Sequence, residues 1–423
     1  MARQISFTPP DLAQPPPAAR GPVRRRHVFY LPGYDPESSK RYRALFVREL
    51  SRYAKRFDLP RRRVSPARAE GNVQSWTVEA GREGWATDTT YEVLLWDDLV
   101  RRDFERPMLL SMLLLTAGIL HALVTGKLVR LYALNWKYGN VILYPFVMTL
   151  LLVGLGAGAG VALGRGLAWA AGGTLPGLAA IGLGALGAIG LLVAATPLLD
   201  RIFLRQLIND WVFNWQHSNG WRPDYEARLA AFADHVAARS RTAEADEVMI
   251  VGHSSGALTA VEVAARVLAR EPDRDFSLLT LGAGLPLVAI NPRATRLRAE
   301  IASLVASERV VWADYQAPQD WMNFPGFNPV QDLALPPVPR VANPLIRSTK
   351  FRELLDPSVY ARISYRPFRM HFQFLMSNDL PGEYDFFALT LGPQRLRERV
   401  LAPALAPARA DVPAEPASAH REI

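Results

Sequence analysis

A serine flanked by two glycines stands where an apolar run meets an alanine-rich stretch. The segment reads Gly252-His253-Ser254-Ser255-Gly256, and it follows the apolar run Val248 to Val251. The run and the stretch Ala257 to Ala269 together predict a strand, a tight turn and a helix. Such a turn exposes the serine oxygen at the carboxyl end of the strand, and the helix beginning near Ser255 directs free N–H groups toward an oxyanion formed there. The chemistry predicted is nucleophilic attack by Ser254; the alternative is an ordinary serine in a strand-to-helix turn.

This arrangement resembles the α/β-hydrolase superfamily, whose members carry a Gly-x-Ser-x-Gly nucleophile between a central strand and a helix. The resemblance implies two partners that follow the serine in a fixed order, an acid and then a histidine. Two histidines follow Ser254. His420 lies in a tail of alanine and proline with few packing residues, so His371 is the expected base. The alternative for His371 is a buried histidine without a catalytic role.

Two aspartates are candidates for the acid. The apolar strand Arg309 to Ala313 runs directly into Asp314, whereas Asp320 follows in a loop that contains Pro318. Lipase-like members of the superfamily carry their acid in a similar proline-containing loop, so Asp320 is preferred and Asp314 is the alternative. The aspartate that is not used is expected to serve as a turn or cap residue.

A second oxyanion donor is expected in the loop after an early strand. Val28 to Leu31 forms a short apolar run, and Pro32-Gly33 predicts a tight turn. The backbone N–H groups of Tyr34 and Ser255 are therefore the candidate pair. The superfamily usually has His-Gly where this chain has Pro32-Gly33, which leaves a plain Pro-Gly turn as the alternative.

Around one long apolar block the chain alternates strands and helices. This pattern predicts an α/β fold: a mostly parallel sheet of α/β-hydrolase type with helices on both faces, interrupted by a transmembrane helical insertion. The expected organisation is a disordered proline- and arginine-rich segment at 1–25, the first part of the domain at 26–106, the insertion at 107–200, the second part at 201–395 and an alanine- and proline-rich tail at 396–423.

The insertion has the composition of membrane helices. Residues 107–126, 141–164 and 166–199 contain no Asp, Glu, Lys or Arg, and roughly 20 such residues cross a bilayer. The strands before and after the block belong to one sheet, so the number of spans must be even. We predict two spans, near 141–164 and 174–198, packed through small residues as a hairpin. The segment 107–135 is predicted to lie on or partly in the membrane surface, as an interfacial helix.

Charge predicts the orientation of the hairpin. The connection between the spans carries a single cation, Arg165. Eight cations flank the block on the globular side: Arg101, Arg102, Arg106, Lys127, Arg130, Lys137, Arg201 and Arg205. This asymmetry predicts a cytoplasmic catalytic domain at a bacterial inner membrane. The net charge of +9 is accordingly assigned to anionic lipid rather than to nucleic acid. No phosphate-binding loop or zinc-ligand spacing occurs, so no cofactor or metal is expected.

These features together favour a membrane-bound serine hydrolase, an esterase or lipase-like enzyme acting on lipid or other acyl esters. In that mechanism His371 takes the Ser254 proton as the oxygen attacks the acyl carbonyl, Asp320 orients the imidazolium, and water later releases the acyl group. The alternative is a catalytically inactive, membrane-anchored interaction or regulatory protein. A transport role is disfavoured, because ion pathways normally need polar groups inside the bilayer.

Overall fold

The computed structural model describes residues 21–201 and 203–401. The strands are β1 (Arg25–Leu31), β2 (Arg61–Val64), β3 (Arg68–Glu70), β4 (Val73–Arg82), β5 (Trp85–Leu94), β6 (Glu247–His253), β7 (Phe276–Leu281), β8 (Val310–Gln316) and β9 (Leu345–Ser348). The helices up to the middle of the chain are α1 (Ser38–Arg56), α2 (Asp97–Glu105), α3 (Met108–Val124), α4 (Lys127–Leu134), α5 (Trp136–Ala170), α6 (Gly177–Arg201), α7 (Leu204–Ser218) and α8 (Pro223–Thr242).

The remaining helices are α9 (Ser255–Arg270), α10 (Pro286–Ala289), α11 (Thr295–Ala306), α12 (Pro329–Asp332), α13 (Phe351–Leu354), α14 (Pro357–Ile363), α15 (Pro367–His371), α16 (Phe386–Leu391) and α17 (Leu396–Leu401), with a 3₁₀ turn at Phe372–Leu375. The segment predicted to be disordered lies outside the described residues up to position 20, and the predicted tail lies outside them from position 402. The packed chain extends into that predicted tail, since Leu396 and Val400 of α17 are buried.

A single mixed sheet forms the centre of the fold. Its order is β2-β4-β5-β1-β6-β7-β8-β9, with β3 paired to β4. The strands from β5 to β9 in this order are all parallel, and β2, β3 and β4 form an antiparallel edge. The predicted α/β class with a mostly parallel sheet is therefore confirmed. Along β1, Val28 and Tyr30 enter one core and Phe29 and Leu31 the other, as expected for a parallel strand covered on both faces.

The apolar insertion leaves the sheet after β5 and returns at β6, and these two strands flank β1. In the register His27 lies opposite Thr90 of β5 and Val248 of β6. Both ends of the insertion are therefore anchored in one sheet. The strand order also reverses direction at β1, and in open parallel sheets ligands bind at the carboxyl ends of the strands beside such a reversal.

Two helices in the described residues are long and apolar enough to cross a membrane, Trp136–Ala170 and Gly177–Leu199. The first is longer than the predicted span at both ends. It starts early because Asn135 caps it, its side chain accepting a hydrogen bond from the Lys137 N–H at 3.1 Å. The second begins later than predicted, since the residue before Pro176 is disfavoured in helical conformation. The hairpin seam is glycine-rich: a Cβ at Gly156 would overlap the backbone of Gly187, which is how apolar helices pack closely in lipid.

Residues 107–135 form two helices rather than one. Helix α3 is bent by 104° from α2, and the two count as a third crossing only if the bent pair is one broken span. Helices α3 and α4 bury apolar residues on one side, including Leu115 and Leu131. They expose large apolar side chains on the other, among them Leu113, which is 60% exposed. An exposed apolar face of this kind fits a helix that lies in a membrane surface.

Lys127, the first residue of α4, is a buried cation, only 2% exposed. Its Nζ lies 5.3 Å from the centre of the Trp211 ring and has no hydrogen-bond partner in the described part of the chain. Burial lowers the pKa of Lys127 to about 7, far below its value of about 10.4 in an unfolded chain. The unfolded state therefore binds more protons between these pH values, and the stability of the native chain rises with pH across that window.

Lys127→Met is accordingly expected to raise the melting temperature of the detergent-solubilised protein near pH 7, because it removes a desolvated ammonium group. The gain should shrink as the pH rises toward 10, because the lysine of the folded chain is then neutral and the lysine of the unfolded chain is beginning to lose its proton. Melting curves at several pH values measure both effects. Lys55→Met, at an exposed position of α1, is the control and should change neither. An unchanged or lower melting temperature near pH 7 would contradict this account.

Candidate active site

Ser254 occupies a strained turn at the carboxyl end of β6. Its backbone has φ 61° and ψ −127°, a conformation that a residue with a side chain adopts at a cost of about 1–3 kcal/mol and that is found mainly at functional sites. The two motif glycines permit it, since a Cβ at Gly252 would overlap the carbonyl oxygen of Gly256 and a Cβ at Gly256 would overlap that of Leu31. The turn thus holds the Ser254 side chain above the sheet, partly exposed.

His371 and Asp320 form a buried hydrogen-bonded pair. The two atoms, His371 Nδ1 and Asp320 Oδ2, are 2.7 Å apart, and the side chains are 3% and 0% exposed. The carboxylate is fixed in turn by the Met322 N–H and the Asn323 amide, at 2.9 and 3.0 Å. Because a carboxylate only accepts, Nδ1 carries the proton of the neutral ring and Nε2 is left as the basic nitrogen.

Asp314, the other candidate acid, lies within β8 and faces different partners. Its carboxyl accepts hydrogen bonds from the Thr280 hydroxyl at 2.6 Å and from the Gln316 amide at 2.7 Å. Burial raises the pKa of Asp314 to about 6, against the lowering effect of these two bonds. Of the two aspartates, the structure pairs Asp320 with His371.

Within the part of the chain that the structure describes, no hydrogen bond joins the side chains of Ser254 and His371, and His253 connects their two segments. His253, which precedes Ser254, has its ring centre 4.5 Å from that of His371. Within the described residues His371 Nε2 is buried without a hydrogen-bond partner. In ligand-free enzymes the bond between base and nucleophile is often long and tightens only when substrate binds.

The two residues that carry the predicted oxyanion donors, Ser255 and Tyr34, follow residues at or near the serine turn. Ser255 is the first residue of α9, so its N–H has no partner within the helix and points out of the positive helix end. Tyr34 follows Gly33, where an added Cβ would lie 3.5 Å from Ser254 Cβ. The Gly33 N–H already donates to the Tyr42 hydroxyl at 3.2 Å. The Tyr34 N–H has no hydrogen-bond acceptor among the described residues, so it is the candidate donor of this loop.

Two residues of this site carry no motif of their own. His253 donates from Nε2 to the His371 carbonyl oxygen at 3.1 Å and so holds the backbone of the candidate base. Burial, and then the neighbouring His371, lower the pKa of His253 well below its usual value. Asp210 of α7 accepts a hydrogen bond from the Ser255 hydroxyl at 3.1 Å. Burial raises the pKa of Asp210 to about 6. For His253 the only signal in the sequence is its place inside the Gly-x-Ser-x-Gly segment, and for Asp210 there is none.

A separate cluster has donor atoms suited to a metal ion. The side-chain donors of His217, Glu226 and Glu262 lie within 4.8 Å of one another. The Arg266 guanidinium, however, bonds Glu226 at 3.0 Å and Glu300 at 2.9 Å. Because this guanidinium already supplies positive charge to the cluster, we assign it to an ion-pair network that joins α7, α8, α9 and α11.

Comparisons of the chain with protein family models, with curated proteins and with solved structures give no match. The geometry around Ser254 is therefore the basis for the function proposed below.

Proposed function

We propose that this protein is a membrane-bound serine hydrolase of the α/β-hydrolase type that cleaves acyl esters. The observation that carries the proposal is the combination of Ser254 in a strained turn with the buried His371–Asp320 pair, 2.7 Å between Nδ1 and Oδ2. A strained backbone at a partly exposed serine, in a fold that also holds a histidine in one tautomer by a carboxylate, is typical of a nucleophile and its base.

In the proposed mechanism the Ser254 oxygen attacks the acyl carbonyl while His371 Nε2 takes its proton. The negative charge that develops on the carbonyl oxygen is held by the N–H groups of Ser255 and Tyr34. His371 then gives the proton to the leaving alcohol, and an acyl-enzyme remains. Water, deprotonated by the same nitrogen, attacks the acyl-enzyme and releases the acid, and Asp320 keeps the imidazole oriented throughout.

The contacts of the insertion support a substrate drawn from the bilayer. The insertion, α7, which follows it, and Phe203, the residue just before α7, together contact each of the three proposed catalytic segments. Asp210 bonds Ser255 at the nucleophile turn, and the Asn135 amide donates to the Asn323 carbonyl in the acid loop at 2.7 Å. At the base segment the Phe203 and Phe368 rings stack with centres 4.1 Å apart. We therefore propose a lipid or other amphiphilic acyl ester as substrate, and anionic lipid rather than nucleic acid as the surface met by the basic flanks.

Reaction with a fluorophosphonate probe tests the proposed function directly, because these reagents phosphonylate an activated serine. We expect the purified, detergent-solubilised protein to be labelled stoichiometrically, with the modification mapped by mass spectrometry to the peptide containing Ser254. Heat-denatured protein is the control and should not react. A folded protein that neither reacts nor hydrolyses short-chain esters would instead be the inactive, membrane-anchored regulatory protein.

The proposed orientation places both globular parts in the cytoplasm of a bacterial cell and the hairpin connection outside. The chain has no cysteine, so single cysteines can report the side of the membrane. We expect Ala170→Cys, at the end of α5, to react with a membrane-impermeant maleimide on intact cells. Lys40→Cys and Ser358→Cys, both at exposed positions, should react only after lysis. Reaction of either on intact cells would overturn the cytoplasmic orientation.

A further inference from the structure

Helix α7 contacts both residues that offer the candidate oxyanion donors. It begins three residues after the end of α6, the second helix of the membrane hairpin. Gln206 and Asp210 are four residues apart on α7, so they share one face of the helix. Gln206 reaches Tyr34 and Asp210 reaches Ser255.

On the Ser255 side the contact is a hydrogen bond between side chains. The Ser255 hydroxyl donates to Asp210 Oδ1 at 3.1 Å, and the Asn214 amide also donates to this carboxyl, at 3.2 Å. Ser255 is the first residue of α9, so its side chain and its free N–H belong to the same residue. Holding the hydroxyl therefore restricts the direction in which the N–H points.

On the Tyr34 side the contact is made to the backbone. The Gln206 amide donates to the Tyr34 carbonyl oxygen. The Tyr34 hydroxyl donates to Asp103 at 2.9 Å, and its ring centre lies 5.4 Å from that of Phe213 on α7. Tyr34 is therefore fixed at its carbonyl and at its side chain, while its N–H has no acceptor in the described part of the chain. Such groups, held in place before the reaction, stabilise developing charge without reorganisation.

The position of α7 is itself well determined. Leu204, Ile208 and Val212 of this helix are fully buried within the core shared with residues of α3, α5 and α6. The backbone of α7 is thus a rigid base for Gln206 and Asp210, and the side chains built on it can hold a donor within the narrow range of geometry that oxyanion stabilisation needs.

We propose that Gln206 and Asp210 are positioning residues for the two halves of the oxyanion hole. This inference depends on the proposed serine hydrolase function. Neither side chain is assigned contact with the reacting atoms: Gln206 acts through Tyr34, and Asp210 acts through Ser255.

The test compares an oxygen ester with its thionoester, p-nitrophenyl butyrate with the O-(4-nitrophenyl) thionobutyrate. Sulfur is a weaker hydrogen-bond acceptor than oxygen, so an oxyanion hole formed for oxygen favours the oxygen ester. We expect Gln206→Leu and Asp210→Ala each to lower kcat for the oxygen ester on the order of tenfold to a hundredfold, less than the loss of a donor itself. KM should stay nearly constant, and the preference for the oxygen ester should fall together with kcat. Asp210→Asn, which keeps an acceptor for Ser255, should restore most of the turnover.

Gln216→Leu, near the other end of α7, and Asp234→Ala, on α8, are matched controls and should keep both rate and preference. An unchanged kcat would overturn the positioning role. An equal loss of turnover for both esters would also overturn it, since a general structural defect slows the oxygen ester and the thionoester alike. If Asp210→Ala does not fold, the Asp210→Asn and Ser255→Ala variants test the positioning role instead. Only Ser255→Ala removes the hydrogen bond donated to Asp210, so only this variant should lower the preference for the oxygen ester. Failure of the proposed function is separate: the unmodified protein would then hydrolyse neither ester and would not react with a fluorophosphonate.

Discussion

Ser254→Ala is expected to abolish ester hydrolysis, with turnover of a short-chain p-nitrophenyl ester falling on the order of 10⁵-fold or more. In the proposed mechanism the Ser254 oxygen is the attacking atom, and the hydroxyl of the neighbouring Ser255 is already donated to Asp210. Alanine retains a Cβ, so the backbone at φ 61° is no more strained than with serine, and the variant should fold. Turnover and fluorophosphonate labelling of the purified variant measure the effect.

Ser240→Ala provides a matched control for this substitution. Ser240 is a buried serine of α8 whose hydroxyl has no partner in the described part of the chain. Losing that hydroxyl removes no hydrogen bond, so activity and labelling should be unchanged. Labelling that persists in the Ser254 variant would show that another residue reacts with the probe and would remove Ser254 from the mechanism.

Asp320→Asn is expected to lower turnover on the order of 10³-fold to 10⁴-fold while the protein stays folded. The substitution preserves the shape of a fully buried side chain. The asparagine amide can donate to His371 Nδ1, however, and this favours the ring tautomer with its proton on Nε2, where it cannot accept from the serine. The imidazolium formed during attack also loses its negative partner. The kcat of the variant on the same ester measures the loss.

Asp314→Asn is the natural comparison, since Asp314 is equally buried but faces Thr280 and Gln316. We expect turnover to change only a few-fold, together with a loss of stability of about 1–3 kcal/mol from a disturbed buried hydrogen-bond pair. A larger loss of activity for Asp314→Asn than for Asp320→Asn would transfer the role of acid to Asp314.

The sequence was most informative where function requires unusual local chemistry. Gly-x-Ser-x-Gly after an apolar run predicts a strand-to-helix turn, and Ser254 lies in one. The pattern is informative because the tight turn itself requires glycine at 252 and 256, where a side chain would overlap nearby backbone. The charge-free runs predict two membrane helices because the requirement is again local: a span needs roughly 20 successive residues without charge. The ends of these helices were less predictable, since the Asn135 cap and Pro176 set them.

Contacts made by distant parts of the chain had no signal in the sequence. Asp210 is a polar residue on an amphipathic helix, and its bond to Ser255 depends on how α7 packs against the sheet. The same holds for Gln206 beside Tyr34. The loop position of Asp320 favours this residue over Asp314 as the acid. The contact between Asp320 and His371, however, depends on the folding of segments 51 residues apart.

The position of β1 between β5 and β6 has a consequence for biosynthesis. Arg26 of β1 bonds Glu247 of β6, a partner 221 residues later in the chain. During translation both apolar helices are complete before β6 exists, so they can enter the membrane while β1 still has one unpaired edge. Strand pairs that are this distant in sequence form late in folding, and the strand edges stay unpaired until then. Under the proposed membrane topology the hairpin is therefore made before the sheet is complete, and Ser254, which follows β6, reaches its strained turn only afterwards.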